Sequence, residues 1–284
     1  MNGTAKRWVA LSALVTVLLI LMSCSSGPAG PQMGTPAFYW QAAREVYATG
    51  DYTKTLEDLD QLLATNNEYL DRALPWDLVL KSGLAAGYVD LAENYAVGER
   101  MNRSDPTAFH RVVSESRNTA ARLSLQFAEG FAKFDNVKGD TVSLAFGFPR
   151  GSAALVAQFS KVASGIPLAA AEAETAQKRA LERGVVLAAC QAAGAPGDAA
   201  KTEELLKGGT ATVPRATFLM AMAETLYNQS RLFTPDKLDQ PEKLRIFCER
   251  AQAALQGVPE SKESKELNGR IQAALKKAAK KVKT

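Results

Sequence analysis

Apolar residues recur at intervals of three and four along most of this chain, which is the spacing of amphipathic α-helices. The clearest stripe consists of Leu56, Leu59 and Leu62. Gly50 is placed to end the helix before this stripe, and Asp51 is placed to cap the helix that carries it. The pattern predicts an all-α fold. It leaves open whether the helices form a solenoid of stacked antiparallel pairs or an irregular helical bundle.

Two further segments complete the predicted order of elements. Pro75 suits the first turn of a longer helix, because proline is well tolerated where the backbone N–H has no intrahelical partner. Residues 136–152 interrupt the helical pattern. Within them, residues 141–148 could form a strand, but the chain offers no evident partner, and an isolated strand is not stable. We therefore predict a loop there, followed by further helices and a Lys-rich helix over 262–281.

Residues 39–67 resemble one unit of the tetratricopeptide repeat (TPR) family. The run from Gly50 to Tyr52 matches the turn between the two helices of that unit, and Leu59 and Leu62 match apolar positions of the second helix. The match has gaps, because Thr55 replaces a usual alanine and no proline closes the unit. The resemblance implies an antiparallel helix pair that stacks with others into a solenoid.

The N-terminal residues have the pattern of an export signal. Lys6 and Arg7 precede an apolar run that is short for a membrane span and ends in small residues. The run closes on Leu-Met-Ser-Cys, which resembles the bacterial lipobox. That resemblance implies that Cys24 receives lipid, becomes the first residue of the mature chain and anchors it to a membrane. Ser25 is not aspartate, which by resemblance to Gram-negative sorting signals favours the outer membrane.

We accordingly divide the chain into four segments. Their composition shifts from the apolar signal to a Gly/Pro/Ser-rich stretch, then to the helical pattern and finally to a lysine-rich end. The predicted segments are a signal peptide (1–23), a flexible tether next to the lipid (24–36), a TPR-like helical domain (37–258) and a C-terminal helix or tail (259–284).

Charge and cysteine content narrow the function only slightly. The formal charge is +4, and removal of residues 1–23 takes away two cations and no acid, which leaves +2. A nearly neutral chain argues against nucleic acid as a partner. Cys190 and Cys248 lie on apolar helical faces, where they fit either two buried small side chains or a disulfide.

The sequence offers little for catalysis. His110 is the single histidine, and no cysteine or carboxylate follows it at the spacing of a metal-ligand pair. Gly-rich phosphate loops and a nucleophile elbow are absent from the sequence. We therefore expect a protein that is not an enzyme and that holds no metal or cofactor. An enzyme would need His110, or a pair of acids, in a cleft.

Exposed aromatic side chains on stacked helices are good anchors for partner proteins. The candidate partner-binding residues are aromatic side chains of the first half and the three side chains of the predicted loop. They are Trp40, Tyr47, Tyr52, Tyr88, Tyr95, Phe146, Phe148 and Arg150. For each of them, ordinary packing in the core is the alternative.

The expected function is therefore recognition. We expect a lipid-anchored module of the cell envelope that faces the periplasm and binds a protein partner through its helical surface. The order of lipobox, tether and helix pairs also resembles TPR-like lipoproteins associated with periplasmic solute transporters. That second resemblance implies a transport accessory or solute-binding protein, for which a small-molecule ligand is possible.

Overall fold

The computed structural model describes residues 30–281, and the predicted signal peptide and lipidated Cys24 lie outside that range. Within it, the chain forms ten α-helices and one two-stranded antiparallel sheet, so the predicted all-α fold class is confirmed. The first six helices are α1 (Pro36–Thr49), α2 (Tyr52–Leu63), α3 (Leu70–Met101), α4 (Thr107–Phe131), α5 (Gln158–Ala163) and α6 (Ala170–Ala192). The last four are α7 (Ala199–Leu206), α8 (Arg215–Ser230), α9 (Pro241–Leu255) and α10 (Lys262–Lys281). The strands are β1 (Thr141–Leu144) and β2 (Ala211–Pro214).

The first two helices pack against each other across a short turn. Thr35 caps α1 by accepting a hydrogen bond from the backbone N–H of Phe38, and Gly50 ends α1 with a φ of 86°. Asp51 then caps α2 through the backbone N–H of Lys54, at 3.0 Å. Both boundaries predicted from the sequence are confirmed. Glycine suits position 50 because a left-handed φ is strained for residues with a side chain.

The third helix is the centre of the fold. It is 32 residues long, and it packs along α4 on one side and along α6 on another. Its residues from Ala73 to Ala85 are buried all round. The prediction that Pro75 lies in the first turn was wrong. The helix begins at Leu70, behind a turn in which Asn67 accepts from the backbone N–H of Tyr69, and Pro75 forfeits one intrahelical bond further along.

The predicted loop over residues 141–148 was partly wrong as well, because its first half is a strand. β1 pairs with β2 in antiparallel register, with Val142 opposite Val213 and Leu144 opposite Ala211. The pairing continues at the sheet's edge, where the backbone N–H of Arg215 donates to the carbonyl of Asp140 at 2.8 Å. Two such strands are stable here because Val142 and Leu144 are buried in the helical core.

The C-terminal helices add to the same core. α9 packs between α8 and α10, and Leu267 and Ile271 of α10 are completely buried in the main apolar cluster. Cys190 and Cys248 are buried and free, which confirms the first of the two alternatives, two buried small side chains. The TPR resemblance remains a prediction.

Candidate functional site

Four of the eight candidate binding residues are buried. Tyr47 and Tyr52 have their rings in the core and donate hydrogen bonds to the 145–150 segment, Tyr47 to the carbonyl of Gly147 at 3.1 Å and Tyr52 to that of Arg150 at 2.6 Å. Phe146 stacks on Trp76, with ring centroids 6.1 Å apart. Burial raises the pKa of both tyrosines. These side chains therefore fasten the segment to α1 and α2, as the packing alternative describes.

Tyr95 is the fourth buried candidate, and it lies elsewhere. Its ring contacts Phe109 in a smaller apolar cluster between α3, α4, α5 and α6. Tyr88 and Phe148 are partly exposed, and Arg150 is exposed. Four of the eight candidates are therefore in the core, and the partly exposed Tyr88 packs against both apolar clusters.

Trp40 is partly exposed and belongs to an aromatic stack that the sequence did not predict. Its ring stacks on Tyr69 at a centroid distance of 5.3 Å and meets Trp76 edge-on at 5.6 Å. The guanidinium of Arg72 lies 5.8 Å from the Trp40 ring and 5.7 Å from the Tyr69 ring. The cation–π contacts keep Arg72 against the stack, close to the start of α3.

A concave surface lies beside this stack. It is a groove of about 600 Å³ between the end of α2, the first half of α3 and the end of α4. We call it the Asp77 groove. Leu70, Leu74, Asp77 and Lys81 face it from α3. Their spacing of three and four residues places them on one side of the helix.

A glycine allows α4 to approach this side of α3. A Cβ atom at Gly130 would lie 3.3 Å from a methyl carbon of Leu78 and 3.6 Å from Oδ2 of Asp77. A side chain at position 130 would crowd Leu78, and α4 lies close to the carboxylate of Asp77 at this point. This closes the inner end of the groove around Asp77, whose exposed fraction is 1%.

A buried ion-pair network forms the inner end of the groove. Nζ of Lys81 lies 2.8 Å from Oδ1 of Asp77, 2.9 Å from its Oδ2 and 2.8 Å from Oδ1 of Asp60. Of the two Asp77 oxygens, only Oδ2 accepts a hydrogen bond with good geometry within the described residues. Lys81 thereby joins α2 to α3.

The network shifts the protonation of both partners. Burial raises the pKa of Asp77 to about 6, although the ammonium groups of Lys81 and Lys133 oppose that shift. Burial lowers the pKa of Lys81, but the carboxylates of Asp77 and Asp60 more than offset this and hold it above the usual value. Lys81 is therefore a cation at neutral pH. Asp77 is a carboxylate at that pH, but the nearby ammonium groups do not fully offset the cost of burying its charge.

Acids outnumber bases in the groove. Four carboxylates line it, on Asp60, Asp71, Asp77 and Glu129, against the two ammonium groups of Lys81 and Lys133. Among the residues that the structure describes, neither Asp71 nor Glu129 makes an ion pair. Lys133 lines the same groove and makes no ion pair among the described residues either, so these three unpaired side chains have a net charge of −1.

The single histidine is exposed at the surface and is not enclosed in a cleft. The His110 side chain is 70% exposed, and its Nδ1 lies 2.8 Å from Oε1 of Glu99. Within residues 30–281, no group of histidine, cysteine or carboxylate side chains is arranged to hold a metal ion. The Asp77 groove brings together two acids, Asp60 and Asp77, and burial raises the pKa of Asp77 there.

The sequence did not predict this groove. Its acids come from three helices, and each acid taken alone resembles an ordinary solvated residue.

Among the described residues, no helix is both long enough and apolar enough to cross a bilayer. No protein-family model matches the chain, and neither does any curated protein or solved structure compared with it.

Proposed function

We propose that this protein is a lipid-anchored binding module of the cell envelope that recognises a protein partner through its helical surface. The observation that carries the proposal is the Asp77 groove, which combines apolar walls, a buried ion-pair network and unpaired carboxylates at the rim. Interfaces between proteins commonly combine apolar surface with a polar rim, and the leucine walls and charged rim of the groove share these two features.

The proposed anchor would act by raising the local concentration of the protein at the membrane surface. Lipid on Cys24 would confine the module to the membrane surface, and the Gly/Pro/Ser-rich tether would let its helical body reach partners there. Confinement converts encounter in solution into encounter within a thin layer, which raises the effective concentration of the partner. Binding then needs only modest intrinsic affinity.

A transport accessory or solute-binding protein is the second candidate. The volume of the Asp77 groove, about 600 Å³, favours it, because small-molecule sites fall within a range that includes this size. This candidate would retain a small molecule on the purified protein, whereas the first would retain a protein.

Site-directed photocrosslinking in cells tests the first candidate. A benzophenone amino acid replaces Asn136, which lines the groove and is exposed, and in a matched control it replaces the exposed Asn268 of α10. Mass spectrometry then identifies what is captured. The same experiment is repeated with Cys24→Ala to remove the proposed anchor.

We expect one envelope protein to be captured from position 136, less of it from position 268, and less of it when Cys24 is replaced. Equal capture at both positions would show that the groove is not the interface. A small molecule that copurifies with the chain, in the absence of any captured protein, would replace the first candidate by the second.

A further inference from the structure

The charge and shape of the Asp77 groove specify the chemistry of what enters it. We infer that the groove receives a lysine or arginine side chain projecting from the partner protein. This inference rests on the proposed function, because it assumes that the partner is a protein, and it identifies the group by which that partner is recognised.

The first argument is charge. With four carboxylates and two ammonium groups, the groove has a formal charge of −2 when all six side chains are ionised. Asp71 and Glu129 are exposed at its rim and have no ion-pair partner among the described residues. Asp77 is nearly fully buried, and its Oδ1 lies 2.8 Å from Nζ of Lys81 but accepts no hydrogen bond of good geometry within residues 30–281. An entering lysine or arginine side chain would halve this net charge, whereas an anion would add to the repulsion.

The second argument is the apolar lining. Leu63, Leu70 and Leu74 line the groove on the α2 and α3 side, and Val137 lines it after α4. Lysine and arginine carry their charge on an alkyl stem that packs well along apolar surface. A small inorganic cation would leave these walls uncovered, so an alkyl cation fits the whole groove better.

The third argument is the open rim. Asp60, Thr65, Asn66, Glu129 and Asn136 line the groove and are exposed to solvent. Most of the surface of a bound small molecule is usually enclosed, and beside these exposed residues part of it would stay in water. A side chain that projects from a larger protein does not meet this difficulty, because the surface around the side chain covers the rim.

The test is a set of titrations of the purified full-length chain in detergent, followed through the NMR signals of its leucine methyl groups. The first probe is the tripeptide acetyl-Ala-Lys-Ala-amide. The second contains norleucine in place of lysine, which keeps the alkyl stem and removes the charge. The third is n-butylammonium, which keeps the charged stem and removes the peptide.

The variants separate the groove from the rest of the surface. Asp71→Asn combined with Glu129→Gln removes both unpaired rim carboxylates without touching the buried network. Glu203→Gln combined with Glu204→Gln removes the same charge from exposed positions of α7 and is the matched control.

We expect the lysine peptide to shift the signals of Leu63, Leu70 and Leu74 and to bind more tightly than the norleucine peptide. The Asp71/Glu129 double variant should weaken binding by about fivefold, the effect of two partly screened charge pairs. The Glu203/Glu204 control should bind as the unmodified chain does.

Equal binding of the lysine and norleucine peptides, or equal binding to both double variants, would overturn the inference. If n-butylammonium bound as tightly as the lysine peptide, the groove would be a site for free amines and not for a side chain of a partner. The photocrosslinking experiment is independent of these titrations. A captured partner together with failed titrations would leave the proposed function standing and remove only this inference.

Discussion

Asp77 shows what folding does to a single carboxylate. Removing an ionised acid from water costs several kcal/mol unless a cation and hydrogen bonds offset the loss. Lys81 provides part of that compensation, but it is shared with Asp60. The raised pKa of Asp77, about 6 in the folded protein, records the remaining deficit.

This pKa has a definite consequence for stability. The folded chain binds the Asp77 proton more tightly than the unfolded chain does, so the contribution of Asp77 to stability is greatest below pH 4 and falls as the pH rises to about 6. Asp77→Asn removes that dependence. We expect its free energy of unfolding, relative to the unmodified chain, to increase by roughly 2–3 kcal/mol between pH 4 and pH 7. Urea unfolding at several pH values measures this, and a difference that does not change with pH would contradict it.

The companion variant Lys81→Met tests the same network from the cation's side. It leaves Asp77 buried with no ammonium beside it, and breaking a buried pair in this way typically costs about 3–5 kcal/mol. The loss should be smaller at pH 5 than at pH 7, because the carboxyl then protonates and no buried charge remains. Urea midpoints at the two pH values measure it, and an equal loss at both would show that Lys81 acts through packing.

For individual residues, the sequence indicated which side chains are aromatic or acidic, but not whether each one is buried or exposed in the fold. The aromatic side chains were identified as a group, but Tyr47 and Tyr52 proved to be buried, with their hydroxyl groups bound to the 145–150 segment. The acid at position 77 carries no sign of its burial in the sequence. Its environment includes Gly130 of α4, which is distant in the chain and lies close to it only after folding.

The helices illustrate which features are local enough to predict. The boundary at Gly50 and Asp51 followed from the conformation and hydrogen bonding of neighbouring residues. The pairing of Val142 with Val213 did not, because the two strands are far apart in the chain and each is only four residues long. The Asp77 groove was missed for the same reason, since its acids meet only when α2, α3 and α4 are packed.

The crossing of α3 and α6 depends on three glycines. A Cβ atom at Gly184 of α6 would lie 2.2 Å from the carbonyl oxygen of Gly83 and 2.7 Å from the backbone nitrogen of Gly87. All of the nearest atoms are backbone atoms, which cannot rotate away. The two helices are therefore in direct backbone contact, and no side chain fits between them.

We expect Gly184→Ala to destabilise the protein by about 1–3 kcal/mol, the usual cost of overpacking a well-packed interior. Gly269→Ala in α10 is the matched control, because a Cβ atom there meets nothing within 4 Å. Alanine is the better helix former, so the control should be neutral or stabilising by up to about 1 kcal/mol. Thermal or urea unfolding measures both, and equal effects would show that the crossing is not tight.

On the scale of the whole molecule, one apolar cluster connects the two ends of the described chain. It includes Tyr47 of α1 and Trp76 of α3, and it extends to Cys248 of α9 and Ile271 of α10. The β1–β2 pair contributes to it from the middle of the chain, since Val142 and Leu144 belong to the cluster as well. A continuous core of this kind predicts that the described helices unfold together.

Two sets of natural probes report on different parts of that core. Trp40 and Trp76 lie in α1 and α3, and Cys190 and Cys248 lie in α6 and α9. Burial also raises the pKa of both thiols, which slows their reaction with thiol reagents in the folded state. Tryptophan fluorescence therefore follows the first half of the molecule, and thiol reactivity follows the second.

A chain carrying Trp8→Phe and Cys24→Ala retains only those four probes, because it has three tryptophans and three cysteines in all. In urea, we expect its fluorescence change and its thiol exposure to share one midpoint, since coincident transitions are the mark of cooperative unfolding. Adding Gly184→Ala should lower both midpoints equally, because the α3–α6 crossing joins the element that carries Trp76 to the element that carries Cys190. Thiol exposure at a lower urea concentration than the fluorescence change would show instead that the C-terminal helices unfold as a separate unit, and that the shared apolar cluster does not couple them to α3.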